Sequence, residues 1–256
     1  MSRPGLQHRP SSIAAANKTI ILVTGGNAGI GYEIVKSLAQ STAGNCQILL
    51  GCRETSKGEE AASSLGAPVN VNPIQLDIED DTSIDRAFLA IQQVFGKLDV
   101  LINNAGTAAQ YLSKDATLRQ KFDHTFSVNV TSQAVLTDRL KPLLEKAKLP
   151  KVIFVSSTLA SLTETLTWKP EQVYSGYWYN SSKSALNNLA VYYATTNPGW
   201  KVNAVCPGHR ATGLNGLPMS DEMDPKHGAV RVVELVAEGP DGVSGTFSRK
   251  EGRIPW

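Results

Sequence analysis

Short apolar runs alternate with longer segments of helical period along nearly all of this 256-residue chain. TIILVTGG (19–26) reads as a buried strand, and Ile30, Ile34, Val35 and Leu38 then fall near helical spacing, so residues 29–41 read as a helix. CQILLGCR (46–53) is a second strand and 55–65 a polar helix. VNVNPIQLDI (69–78) is a third strand, which Pro73 confines to a sheet edge or a strand start. Asp80 or Asp81 is placed to cap a helix along which Ile84, Phe88, Ile91 and Phe95 recur. LDVLINNAG (98–106) is a fourth strand, and the helical stretch 116–146 that follows is expected to break or bend near Pro142. KVIFVSS (151–157), a helix over 179–196, KVNAVCPG (201–208) and a last strand within 242–252 complete the pattern. Strands and helices in this order imply an α/β fold: one doubly wound domain, a parallel sheet of about seven strands with helices on both faces. In such sheets ligands bind beyond the carboxyl ends of the strands.

Apolar residues at 41% and charged residues at 19% exclude a disordered chain. With 25 basic and 23 acidic side chains, the net charge of +2 offers no strong field for nucleic acid or an anionic membrane surface. No apolar run approaches the roughly 18 residues of a spanning helix. Residues 1–17 are polar and Pro-containing, with an apolar stretch (Ile13–Ala16) too short for a signal peptide, and read as a flexible extension before a domain over 18–256. Cys46, Cys52 and Cys206 lack paired spacing, which argues against disulfides and a cysteine zinc site. They read as buried small apolar residues in a reducing compartment, and the expected location is cytoplasmic. His8, His124, His209 and His227 show no ligand spacing, so no metal site is expected.

The first strand ends in Thr24-Gly25-Gly26-Asn27-Ala28-Gly29-Ile30-Gly31. Glycines at 25, 29 and 31 permit a tight turn and close approach to a pyrophosphate, at which the next helix aims its free N–H groups and positive dipole end. The second strand ends in Gly51-Cys52-Arg53. A carboxylate at that tip would bond a ribose 2′-hydroxyl, whereas Arg53 suits a 2′-phosphate, which favours NADP(H) and leaves NAD(H) open. Ser156 and Ser157 close the fifth strand. Tyr179 and Lys183, four apart at the start of a helix, lie on one face. A nearby ammonium favours the tyrosinate, and such a tyrosine can give a proton to a carbonyl oxygen or take one from an alcohol.

Together TGGNAGIG, NNAG (Asn103–Gly106), SVN around Asn129, VSS ending at Ser157, YNSSK and CPG (206–208) resemble the short-chain dehydrogenase/reductases, in that family's order and over about residues 18–250. GNAGIG and LINNAG are most similar to the carbonyl-reductase-type ketoreductases, and the tail GVSGTFSRKEGRIPW is similar to fungal and bacterial members of secondary metabolism. The resemblance implies a Rossmann-type domain and a reductase of a ketone or aldehyde, reversible with the alcohol. It makes Tyr179 the general acid/base and Lys183 the group that activates it and holds the nicotinamide ribose. Ser157 holds the substrate oxygen, and Asn129 fixes a kink in the long helix and joins a water relay to Lys183. For the cofactor it implies Thr24, Gly25, Asn27, Gly29, Ile30 and Gly31 at the pyrophosphate, and Asp77 and Ile78 at the adenine. It places Asn104, Ala105 and Gly106 along the adenine-ribose side, and Pro207, Gly208, Arg210 and Thr212 at the carboxamide and phosphates.

Three departures stand out. Ala28 occupies a place where NADP-preferring relatives often carry a basic residue, so Arg53 would act largely alone. Ser157 and Tyr179 lie 22 positions apart, a longer spacing than in many relatives. The extra segment holds Trp168, Tyr174, Tyr177 and Trp178, which suit either a wall for an apolar or aromatic substrate or plain packing. His209 and Arg210 follow the CPG turn, where relatives often have apolar residues. Residues 213–228, with Gly, Pro and Met, read as a mobile lid over the substrate. Two other functions stay open: a non-catalytic NADP(H)-binding sensor, and an isomerase or dehydratase on the same fold. Homodimer, homotetramer and monomer all remain open.

Overall fold

The computed structural model describes residues 18–41, 45–172 and 176–256. The expected extension 1–17 and Tyr174 lie outside the described residues. β1 (Thr19–Thr24) passes through the glycine turn into α1 (Gly29–Ser41), and β2 (Cys46–Cys52), α2 (Thr55–Ser64), β3 (Val71–Gln75) and α3 (Asp81–Val94) follow. After β4 (Val100–Asn103) come α4 (Leu118–Phe126), a π-helical turn (Ser127–Thr131) and α5 (Ser132–Leu144). β5 (Lys151–Val155) leads through short turns, including Thr158–Ala160 and Leu162–Thr165, to α6 (Tyr177–Thr196). β6 (Lys201–Val205), α7 (Lys226–Ala237), β7 (Thr246–Arg249) and β8 (Gly252–Arg253) close the chain.

The strands form one sheet in the order β3-β2-β1-β4-β5-β6-β7-β8. β1 to β7 pair parallel, and β8 adds an eighth, antiparallel strand. β3 lies at an edge, as Pro73 requires. Alternate strand residues face opposite layers. Ile20, Leu22, Leu101, Phe154 and Ala204 pack with Ile84, Phe88 and Ile91 of α3, Leu136 and Leu140 of α5, and Leu186 of α6. Ile21, Val23, Leu50, Ile102 and Val205 pack with Ile34, Val35 and Leu38 of α1 and Val232 and Leu235 of α7. This explains why the strands read as continuous apolar runs: both faces are buried. Among the described residues no helix is long and apolar enough to cross a membrane.

The structure revises the expected elements in three places. The stretch 116–146 is interrupted not at Pro142 but by the π turn around Asn129. Pro142 lies inside α5 near its end, where a missing N–H removes one bond and little helix remains to redirect. α6 starts at Tyr177, so Tyr179 is its third residue. α7 had no counterpart in the expected pattern, and its first residues take the end of the segment read as a lid.

Candidate active site

The strand order reverses between β1 and β4, and the glycine turn sits at that reversal. Thr24 Oγ1 accepts the backbone N–H groups of Asn104 and Ala105, each at 2.9 Å, which locks the ends of β1 and β4 together. The Asn104 amide donates to Thr24 O (2.8 Å) and Gly25 O, so it holds the turn. Gly25 and Gly29 have φ of +62° and +54°. A Cβ on Gly31 would lie 2.2 Å from Gly25 O, and only glycine lets α1 begin so close to the turn. Thr212 approaches from the far side, where a Cβ on Gly29 would come 3.3 Å from its Cγ2. The first turn of α1 carries no acidic residue. A bare glycine cradle at a helix N-terminus fits a pyrophosphate. An open groove of about 600 Å³ continues from it, lined by Gly29, Tyr32, Glu33, Thr212, Leu217 and Pro225 among others. Asn27 and Ile30 are half-buried in the same turn.

Arg53 is exposed at the end of β2, and among the described residues its guanidinium has no hydrogen bond or ion pair. Its backbone carbonyl accepts from Gln75 Nε2. Asp77 Oδ1 accepts the N–H of Glu79, and Ile78 is buried beside it.

Lys183 is the centre of the polar cluster. It is 3% exposed and donates to Val155 O at 2.9 Å, at the end of β5. Burial pushes its ammonium down to about 8, with Cys206 acting second and in the opposite direction. Its Nζ lies 5.7 Å from the centre of the Tyr179 ring. A Cβ on Gly106 would come 3.4 Å from Lys183 Nζ and 3.1 Å from Asn129 Oδ1, so that glycine leaves both in place. Asn129 is fully buried and engaged at both ends of its amide. Oδ1 accepts from Thr107 N (2.8 Å), and Nδ2 donates to Thr107 O (2.8 Å) and Ser182 Oγ (2.9 Å). Ser182 Oγ in turn donates to Tyr179 O at 2.7 Å. Ser157, half-buried two residues after Val155, caps the Thr158–Ala160 turn by accepting from Leu159 N. Its neighbour Ser156 faces away and donates to Asn187.

Two loops flank this cluster. In the loop after β4, Thr107 Oγ1 bonds Gln110 and lies 3.3 Å from His124 Nε2, while Trp178 Nε1 donates to Ala108 O. Tyr177 packs on Phe122 and Trp178 at the start of α6, with half of its surface still exposed. In the loop after β6, Gly208 has φ +78°. Arg210 donates to the carbonyls of Pro207 (3.0 Å), His209 and Glu222 (2.8 Å), and so fastens the loop. His209 is exposed.

The structure thus gathers Asn129, Ser157, Tyr179 and Lys183 on the elements that meet at the ends of β4 and β5. Several partners escaped the sequence reading. Ser182 links Asn129 to Tyr179 from inside the YNSSK motif. Thr107, the residue after NNAG, receives Asn129. Cys206, just before Pro207-Gly208, accepts from Thr158 N and Oγ1 (2.9 Å) and Gly208 N. All three cysteines are buried, and among the described residues none forms a disulfide and no group of His, Cys, Asp and Glu could hold a metal ion.

Comparison with known proteins gives concordant matches. Residues 19–222 match the short chain dehydrogenase family model. The chain is 32% identical to the short-chain dehydrogenase/reductase tropE of Talaromyces stipitatus, over 93% of this chain and 98% of that protein. Salutaridine reductase from Papaver somniferum superposes with a TM-score of 0.76 at 26% identity, covering 91% of this chain and all of that one. The NADPH-bound carbonyl reductase from chicken fatty liver superposes with a TM-score of 0.80 at 24% identity, covering 94% of this chain and all of that one.

Proposed function

The chain belongs to the short-chain dehydrogenase/reductase family, and on that premise we propose that it is an NADP(H)-dependent oxidoreductase interconverting a ketone or aldehyde with its alcohol. One observation carries the reading: the buried Lys183 cation lies against Tyr179 beside the Ser157 turn, at the strand ends that the glycine cradle also faces. The names of two similar structures, salutaridine reductase and an NADPH-bound carbonyl reductase, agree with it.

In this reading Thr24 to Gly31 hold the pyrophosphate, with Asn27 and Ile30 in the turn. Arg53 takes the 2′-phosphate, a role supported by its exposed guanidinium, which makes no hydrogen bond or ion pair among the described residues. Asp77 and Ile78 border the adenine, and Asn104, Ala105 and Gly106 border its ribose. Pro207, Gly208, Arg210 and Thr212 border the nicotinamide end, where Arg210 acts by fastening the loop. The dinucleotide, when bound, supplies or accepts the hydride. Tyr179 gives its phenolic proton to the carbonyl oxygen in reduction and takes it back in oxidation. Ser157 donates a hydrogen bond to the same oxygen as charge develops there. Lys183 holds a positive charge behind the tyrosine, and Asn129 fixes the loop after β4 and, through Ser182, the first turn of α6. Met219 in the groove beside the glycine cradle and the exposed Tyr111, whose hydroxyl lies 3.5 Å from where a Cβ on Gly213 would stand, support an apolar or aromatic substrate.

The test is NADPH consumption by the purified protein over a panel of ketones and aldehydes, with Tyr179→Phe in parallel. The expected loss in kcat is at least about 100-fold, the scale of a general acid, with NADPH affinity retained. Equal turnover by the variant would remove Tyr179 from the chemistry.

A further inference from the structure

The turns between Ser157 and Tyr179 are held by residues from the far end of the sequence. Ser161, fully buried, donates to Pro255 O at 2.6 Å. Thr163 donates to Trp256 O through both its N–H (3.3 Å) and its hydroxyl (3.0 Å). Arg249 of β7 pairs with Glu164 at 3.7 Å. The strap Ile254–Trp256 is itself seated on the core: Ile254 is 4% exposed and bonds Phe247 O (2.8 Å), and Trp256 stacks on Phe247 with ring centres 5.7 Å apart.

This matters because the helical turn Leu162–Thr165 buries none of its residues, so apolar packing does little to fix it. Leu162 and Leu166 are 68% and 87% exposed. The adjoining turn Thr158–Ala160, which Ser157 caps, is held at three places. Thr158 bonds Cys206 at the end of β6, Ser184 of α6 donates to Ala160 O (2.9 Å), and Ser161 bonds the strap. The first two anchors come from the walls of the site. The third comes from outside it.

We propose that the strap Ile254–Trp256 is a positioning element of the active site, which through Ser161 and Thr163 fixes the turn that presents Ser157 to the substrate. The kinetic part of this rests on the reductase reading of the same site. Residues that hold a reacting group from a distance act on substrate turnover and not on cofactor affinity, because the glycine cradle is built by other elements.

The test compares wild type, Trp256→Ala and Trp256→Phe by amide hydrogen exchange without ligand, and by steady-state kinetics with NADPH. In Trp256→Ala, exchange over residues 158–167 is expected to quicken about tenfold, the scale of one lost aromatic pair, while β5 and β6 stay protected. kcat/KM for the carbonyl falls by about tenfold or more, as for a misplaced reacting group, with NADPH affinity unchanged. Trp256→Phe restores both. Unchanged exchange over 158–167, equal loss of protection in β5 and β6, or faster exchange with unaltered kcat/KM would each overturn the proposal. If the wild-type protein turns over no carbonyl, the reductase reading falls, and the exchange arm still decides whether the strap holds the turn.

Discussion

Lys183 is a cation in a place that charges avoid. It is nearly fully buried, with Val155 O as its acceptor, and burial pushes its ammonium from an ordinary 10.5 down to about 8. The unfolded chain therefore holds this proton through a pH range in which the folded chain has released it. Stability rises with pH wherever the unfolded state binds more protons, so the burial penalty is complete below pH 8 and is relieved between about 8 and 10.5. Lys183→Met has no such group. The stability of the wild type minus that of the variant should climb by about 3 kcal/mol across this window, read by urea unfolding at a series of pH values without nucleotide. A flat difference would mean that the buried lysine keeps its ordinary affinity for protons. Tyr179 and Lys183 were legible in the sequence because a four-residue spacing on a helix fixes their common face. Their supports were not. Nothing in the spacing shows that Asn129 grips both backbone groups of Thr107, or that the Arg210 guanidinium turns back onto the Pro207 and Glu222 carbonyls. Those contacts exist only once loops from distant parts of the chain meet.

Among the elements, the strands were the most legible, since residues buried on both faces leave an unbroken apolar run. Helices with strong caps came next. Asp80 accepts from Thr82 N and starts α3 where expected. Thr117 and Gln120 form a reciprocal capping box at the start of α4, the helix that runs into the π turn of Asn129. Thr117→Ala should cost about 1 kcal/mol in urea unfolding, the usual worth of an N-cap, and leave NADPH affinity as it was. An unchanged midpoint would show that the exposed cap adds nothing to stability. The π turn was invisible in the apolar pattern, which a single inserted residue leaves nearly intact, and only the family resemblance put a kink at Asn129, whereas Pro142 is conspicuous and structurally mild. α7 was hidden for another reason. Ala229, Val232 and Leu235 do recur on one face, but they directly follow a Gly-, Pro- and Met-containing stretch that reads as loop.

At the scale of the molecule, the strand order places the reversal between β1 and β4, and Arg53 stands at the end of β2 next to it. A ligand that binds only the folded state adds about 2.7 kcal/mol at 100 times its Kd, which for a domain of this size raises Tm by roughly 5–10 °C. NADPH should produce such a rise in a thermal melt, and Arg53→Ala should remove most of it while leaving the effect of NADH unchanged. A variant that keeps the full NADPH rise would show that the 2′-phosphate is gripped elsewhere. The general form of the sheet was readable because β-α alternation admits few topologies. The antiparallel β8 was not, being two residues long. That short strand and Pro73 have a joint bearing on how copies of the chain can meet. An open sheet is a template at both margins, where unpaired backbone groups can recruit another chain. Here one margin contains a proline with no N–H to offer, and the other ends in two exposed residues followed closely by Pro255. Both margins are thereby blunted as templates, so edge-to-edge growth of a ribbon from crowded copies is disfavoured.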